Sequence, residues 1–108
     1  MSTNTVPAAP IPAGFSADDW VDTQTSRPWR LIWGPEHNVG GGATVVRASA
    51  TQYIDGAIDE ADGDEPAVHI NVYRDWGIST KHARDLAAAI LEVTDEADRL
   101  VTTKEGTG

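Results

Sequence analysis

"ISTKHARDLAAAILEVTDEADRL", residues 78–100, decides the fold. Ala83, Leu86, Ile90, Val93, Ala97 and Leu100 recur at alternating steps of three and four, and Ala87, Leu91 and Val101 widen the stripe. That is the period of an amphipathic helix with a heptad-like seam. Ser79 stands where a hydroxyl accepts from the amide of residue 82, so it is the expected N-cap. The charges run against the helix's own dipole. Lys81, His82 and Arg84 come first, and Glu92, Asp95, Glu96 and Asp98 come last. A macrodipole favours anions at its start and cations at its end. Two such helices packed antiparallel would set the basic start of one beside the acidic end of the other. Each exposed pair would add only a few tenths of a kcal/mol, so charge would set orientation more than affinity.

Upstream, the chain has strand periodicity. "AVHINVYR" (67–74) alternates Val68, Ile70 and Val72 with His69, Asn71 and Tyr73. "ATVVRASATQYI" (43–54) sends Val46, Ala48, Ala50 and Ile54 one way and Arg47, Ser49, Thr51 and Tyr53 the other. "PWRLIWG" (28–34) alternates Trp29, Leu31 and Trp33 with Arg30 and Ile32, which assigns the three large apolar residues to the inner face. "PEHNVGGG" (35–42) is then a hairpin connection, because three glycines do not continue a strand well. No Gly-Lys-Ser or Gly-Lys-Thr follows, so it is not a phosphate loop.

The expected architecture is α+β: a small antiparallel sheet of about three strands with one long C-terminal helix on one face. The expected core is Leu31, Val46, Ala48, Val68, Ile70, Val72, Leu86, Ile90 and Val93. A helix over 79–101 would be roughly 34 Å long. Strands of five to eight residues offer about 17–26 Å, so part of the seam should overhang. Residues 1–27, rich in Ser, Thr, Pro, Ala and Gly, are expected as a flexible arm, with Phe15, Trp20 and Val21 able to dock. Residues 28–101 form the domain and 102–108 a frayed tail.

Composition narrows the function. Lys plus Arg number 8 against 17 Asp plus Glu in 108 residues, a net charge of −9. Broad attraction to nucleic acid or anionic lipid is disfavoured. There is no cysteine, so disulfides, thiolate catalysis and cysteine zinc sites do not arise. No run of 18 apolar residues implies a membrane span, and the N-terminus lacks the regions of a secretory signal. A cytoplasmic location is expected.

Chemical motifs are sparse. "DGAIDEADGDEP" (55–66) imitates a calcium loop, but Glu65 stands where the pattern needs glycine and Asn71 where it needs glutamate. No Gly-x-Ser-x-Gly or His-Glu-x-x-His occurs. His69, His82 and Asp85 lack a ligand spacing signature. Neither catalytic residues nor a cofactor or metal site is expected. The outer sheet face, with Arg30, Arg47, Tyr53, His69 and Tyr73, combines residue types common on binding surfaces.

The helix residues Ser79, Ala83, Arg84, Leu86, Ala87, Ala89, Ile90, Glu96, Ala97 and Asp98 resemble a pattern in small proteins of actinobacteria and their phages. In those, a short sheet precedes a Ser/Thr-capped Ala-Arg-x-Leu-Ala-x-Ala helix. Lys81 and His82 depart from the pattern, which has acidic or amide residues there. The resemblance implies an accessory protein, acting in the host cytoplasm if phage-encoded.

The expected function is therefore a non-enzymatic, acidic interaction protein, homodimeric, with an unidentified protein partner besides itself. Its expected interface is Lys81, Arg84, Leu86, Ile90, Glu92, Val93, Glu96, Ala97 and Leu100. Two alternatives stand beside it. One is an anion or nucleic-acid binding module using the helix start at Lys81 and Arg84, or the outer sheet face. The other is an acidic decoy that blocks a basic host surface.

Overall fold

The computed structural model describes residues 9–73 and 77–105. It is an α+β fold in two layers: an antiparallel sheet of five strands, rather than about three, under one helix. The strands are β1 (Ser16–Ala17), β2 (Trp29–Trp33), β3 (His37–Val39), β4 (Thr44–Tyr53) and β5 (Ala67–Val72), followed by α1 (Thr80–Glu105).

β4 is the spine. β2 and β3 lie end to end along one of its edges and β5 along the other. Trp33 pairs with Ser49 and His37 with Val46, so residues 34–36 stand opposite only 47 and 48. This is a bulge of one extra residue. Gly34 holds it to β4 through its amide and the Ala48 carbonyl (2.9 Å), and Pro35 has no amide to leave unpaired. The turn from β3 to β4 uses Gly40, Gly41 and Gly42, all at positive φ, where a side chain would be strained. On the opposite edge Asp59 donates to the Thr51 carbonyl (2.9 Å), and pairing resumes at Ala67 with Ser49. Residues 60–66, most of the acidic stretch, are thus extruded opposite Ala50 alone.

Helix α1 lies along β4. His82 near its start meets Thr44, and Leu100 near its end packs by Ile32, Ala50 and Ile58. Val39, Val46, Ala48, Ala89, Val93 and Ala97 form the adjoining core, with Phe15, Val68, Leu86 and Ile90 packed against it. From His82 to Leu100 the helix rises about 27 Å, and the ten residues of β4 span about 33 Å. No overhang to Leu100 results, because β4 is longer than the strands expected.

Four expectations are corrected by packing. The first is the face of β2. Ile32 pairs with Ala50 and Arg30 with Gln52, which places Ile32 and Arg30 on the helix side and Trp29, Leu31 and Trp33 on the outer side. Ile32 is fully buried. Second, Ile70 and Val72 point to the helix side but remain 44% and 50% exposed, since α1 does not reach across β5. Third, residues 9–27 are tied down rather than free. β1 pairs with β2, Val21 bridges Trp29, and Phe15 enters both core clusters. Asp22 and Asp18 accept from the indole N–H groups of Trp29 (2.9 Å) and Trp33 (3.1 Å). Fourth, α1 runs to Glu105, past the expected domain end at 101. Residues 1–8, 74–76 and 106–108, with Arg74 among them, lie outside the described residues.

Candidate interaction site

Part of the reversed charge of α1 is met within the chain. Ser79 caps as expected: its Oγ accepts from the His82 amide (3.1 Å). His82 turns inward, buried, with Nε2 3.1 Å from Thr44 Oγ1. Lys81 donates to Asp85 one turn on (2.9 Å). Glu96 faces β3, where its Oε2 meets His37 Nε2 at 2.8 Å. Of the expected interface, Val93 and Ala97 are buried against the sheet, and Leu86, Ile90 and Leu100 are partly buried there. Glu96 is likewise engaged with β3. These residues hold the helix to its own sheet and are not an outward seam, which also removes Glu96 from any cross-helix pair. Lys81, Arg84 and Glu92 remain exposed.

The helix has two unlike flanks. At 100° per residue, Asp85, Glu92 and Glu96 lie on the flank toward β3, consistent with the His37 contact. Ala83, Ala87, Ile90 and Thr94 lie on the other, toward β5, whereas Leu91, two residues from the buried Val93 and 67% exposed, faces away from the sheet. Beside the β5 flank stand the half-exposed side chains of Ile70 and Val72. Together they make one apolar strip along the edge of the molecule.

The strip borders an open strand edge. Among the described residues β5 pairs only with β4. Tyr73 donates to Ala43 (2.8 Å) on the β4 side, and hydrogen bonding alternates along an antiparallel pair. The amides and carbonyls of Val68, Ile70 and Val72 therefore point away from β4. "AVHINV" holds no Lys, Asp, Glu or Pro, the residues that commonly blunt such edges.

The outer sheet face is organised internally. Arg47 stacks on Trp33 (5.1 Å), donates to the Gly34 carbonyl (3.2 Å) and pairs with Glu36 (3.6 Å). Arg27 stacks on Tyr53 (3.7 Å), and Tyr53 donates to Asp59 (2.7 Å). That hydrogen bond raises the Tyr53 pKa above its ordinary 10.0, with burial and the Asp59 charge adding to it. It lowers the Asp59 pKa below 3.8, helped by the Ala61 amide. His69 Nε2 lies 2.6 Å from Ser49 Oγ, with its ring beside Trp33. Ser49 is buried, so this pair is a cross-strand tie and lacks the open approach a nucleophile needs. Arg30, expected on this face, lies on the other side, buried between Gln52 (2.9 Å), the Ala9 carbonyl (2.8 Å) and the Trp20 ring (4.2 Å). His69 is on the outer face and His82 beneath the helix, so His69, His82 and Asp85 do not converge.

The apolar strip was only half legible in the sequence. The alternation marks Ile70 and Val72 as inward-facing, but nothing in it says how far the helix reaches. Among the described residues no helix is long and apolar enough to cross a membrane. Comparison with known proteins finds no matching family model, no matching curated protein and no matching solved structure.

Proposed function

We propose that this chain is a non-enzymatic interaction protein that self-associates through the free edge of β5 and the adjoining flank of α1. The supporting observation is the coincidence on β5 of three features: backbone groups at Val68, Ile70 and Val72 that are unpaired among the described residues, half-exposed side chains at Ile70 and Val72, and no charged or proline residue along the strand. Pairing two β5 edges antiparallel about a two-fold axis normal to the sheet continues the sheet across the dimer. The axis sets both helices on the same face, antiparallel, with their apolar flanks side by side. The charge order of α1 contributes less to the dimer than the strand edge, since Lys81 and Glu96 have partners in their own chain and Arg84, Glu92 and Asp95 are left exposed for a second helix. The strand edge is the main source of orientation, because main-chain hydrogen bonds set register and the apolar side chains set affinity.

Sedimentation equilibrium at about 100 µM, well above the micromolar dissociation constants of modest complexes, tests this. Wild type should be dimeric and Ile70→Lys monomeric, with an unchanged far-ultraviolet spectrum. A monomeric wild type would refute the proposal. So would an Ile70→Lys variant that dimerises as tightly as wild type.

A further inference from the structure

Residues 9–12, "APIP", strap the helix-side face of the sheet beyond the end of β5, which pairs only with residues 44–49 of β4. Main-chain carbonyls hold the strap. Arg30 Nη2 donates to the Ala9 carbonyl (2.8 Å) and Gln52 Nε2 to the Pro10 carbonyl (3.1 Å). These two donors are fixed in place. Arg30 Nε donates to Gln52 Oε1 (2.9 Å), the guanidinium stacks 4.2 Å from the Trp20 ring, and both residues are more than nine-tenths buried. No carboxylate pairs with Arg30 among the described residues, so neutral oxygen acceptors satisfy it. The side chains of Pro10 and Ile11, by contrast, are exposed. Recognition of the strap therefore falls on its backbone. Proline has no amide, so such a segment stays extended and offers carbonyls only where proline stands, and aromatic-lined grooves receive segments of this kind.

We infer that the Arg30–Gln52 donor pair is a docking site for an uncharged, proline-bearing extended segment of another protein, and that residues 9–12 occupy it as a built-in competitor. The strap leaves space beside it: an open, mainly apolar pocket of about 1360 Å³ lies between it and Pro35, Ile54, Ile58 and Leu100, so a segment with larger apolar side chains than its own has room. Asp55, Glu96 and Arg99 also line this pocket. Asp55 accepts from the Ala57 amide (3.0 Å) and Glu96 meets His37 (2.8 Å), and the mixed signs select neither an anion nor a cation. The strap can be released without unfolding the sheet. Gly14 turns the chain back at φ +83, with the Phe15 amide donating to the Pro12 carbonyl (3.0 Å), and Phe15 and β1 beyond it are anchored separately. The site lies away from the β5 edge and operates whether or not the chain self-associates.

The probe is the acetylated, amidated peptide PAAPIPAGF, residues 7–15 of the chain, added unlabelled to the full isotope-labelled protein. Nitrogen–proton spectra follow the Ile11 and Ala13 amides, which leave their strap positions when the peptide takes over. Wild type should respond only at about millimolar peptide, because the tethered strap competes at a similar effective concentration. A Cβ at Gly14 meets nothing within 4 Å, so Gly14→Val strains only the strap's own backbone. It should tighten peptide binding about tenfold, the scale of a left-handed penalty. Adding Gln52→Glu keeps an acceptor for Arg30 but removes the donor to the Pro10 carbonyl, and should weaken the peptide about tenfold or more. Adding Arg30→Lys instead keeps the charge, loses the fork of donors and should weaken it likewise. The inference is overturned if the peptide displaces nothing from the Gly14→Val chain at millimolar concentration, or if neither added substitution weakens it. It is also overturned if sodium acetate releases the strap as readily as the peptide does, which would make the site one for a simple anion.

Discussion

Replacing Gly40 with alanine should loosen the start of α1 from the sheet. Gly40 has φ +62 and Gly41 φ +68, so alanine at either adopts a left-handed backbone at a cost of about 1–2 kcal/mol. Their surroundings differ. A Cβ at Gly41 meets nothing within 4 Å, whereas one at Gly40 would lie 2.4 Å from His82 Cε1 and 2.6 Å from Nδ1. The imidazole cannot swing aside into solvent, because His82 is buried in the first turn of the helix. Moving it breaks the contact with Thr44 Oγ1, and Thr44 is fully buried. A stranded buried hydroxyl costs about 1–3 kcal/mol. Gly40→Ala should therefore cost about 2–5 kcal/mol in all, and Gly41→Ala only the backbone share. At about 4–8 °C per kcal/mol for a domain of this size, the two melting temperatures should differ by about 4–24 °C. Thermal melts by circular dichroism at one low concentration measure this. Equal melting temperatures would refute the role given to His82.

The register of β2 makes a second comparison. Ile32→Ala should cost about 2–5 kcal/mol, since Ile32 is fully buried, and Leu31→Ala, on the outer face, clearly less. Urea unfolding of dilute protein ranks them, and the reverse order would contradict the pairing with β4. The Tyr53–Asp59 bond predicts the pH response. The raised Tyr53 pKa stabilises the fold below pH 10.0 and loses that contribution as pH rises through the folded value. The lowered Asp59 pKa stabilises it above pH 3.8 and loses that contribution as pH falls through the folded value. Asp59→Asn should bring the Tyr53 titration, followed by carbon NMR at Cζ, back toward 10.0; an unmoved titration would refute the bond.

How much the sequence revealed depended on whether a residue's neighbours were local. α1 and its Ser79 cap were legible because a helix satisfies itself within four residues. β4 and β5 were legible as strands because apolar and polar residues largely alternate along them, though Val45 and Gln52 break the alternation of β4. β2 misled because two tryptophans and a leucine outweigh one isoleucine on any hydrophobicity scale. Its true face depends on the distant pairing of Arg30 with Gln52 and of Ile32 with Ala50. The indoles are accommodated outside by Asp18 and Asp22, and the arginine inside by Gln52, the Ala9 carbonyl and Trp20. The charges of α1 were legible only in part. Their order suggested a second helix, but His37 and Thr44, far away in sequence, supply the contacts for Glu96 and His82. The five-stranded sheet was undercounted because β1 is two residues long and β3 three, too short to show a period. The apolar pocket lined by residues 9–15, Pro35, residues 54–58 and Leu100 could not be read at all, since its walls come from distant parts of the chain.

Hydrogen exchange at the β5 edge tests the proposed self-association most directly. Among the described residues the outward amides of Val68, Ile70 and Val72 have no partner within the chain, and docking of a second β5 would give them main-chain bonds. Exchange should be followed residue by residue at about 1 µM and about 500 µM, concentrations that bracket modest dissociation constants. The three amides should exchange freely when dilute and become protected together when concentrated, while the inward amides of His69 and Asn71 stay protected at both. If all three exchange equally fast at both concentrations, the edge is unpaired and the proposal fails.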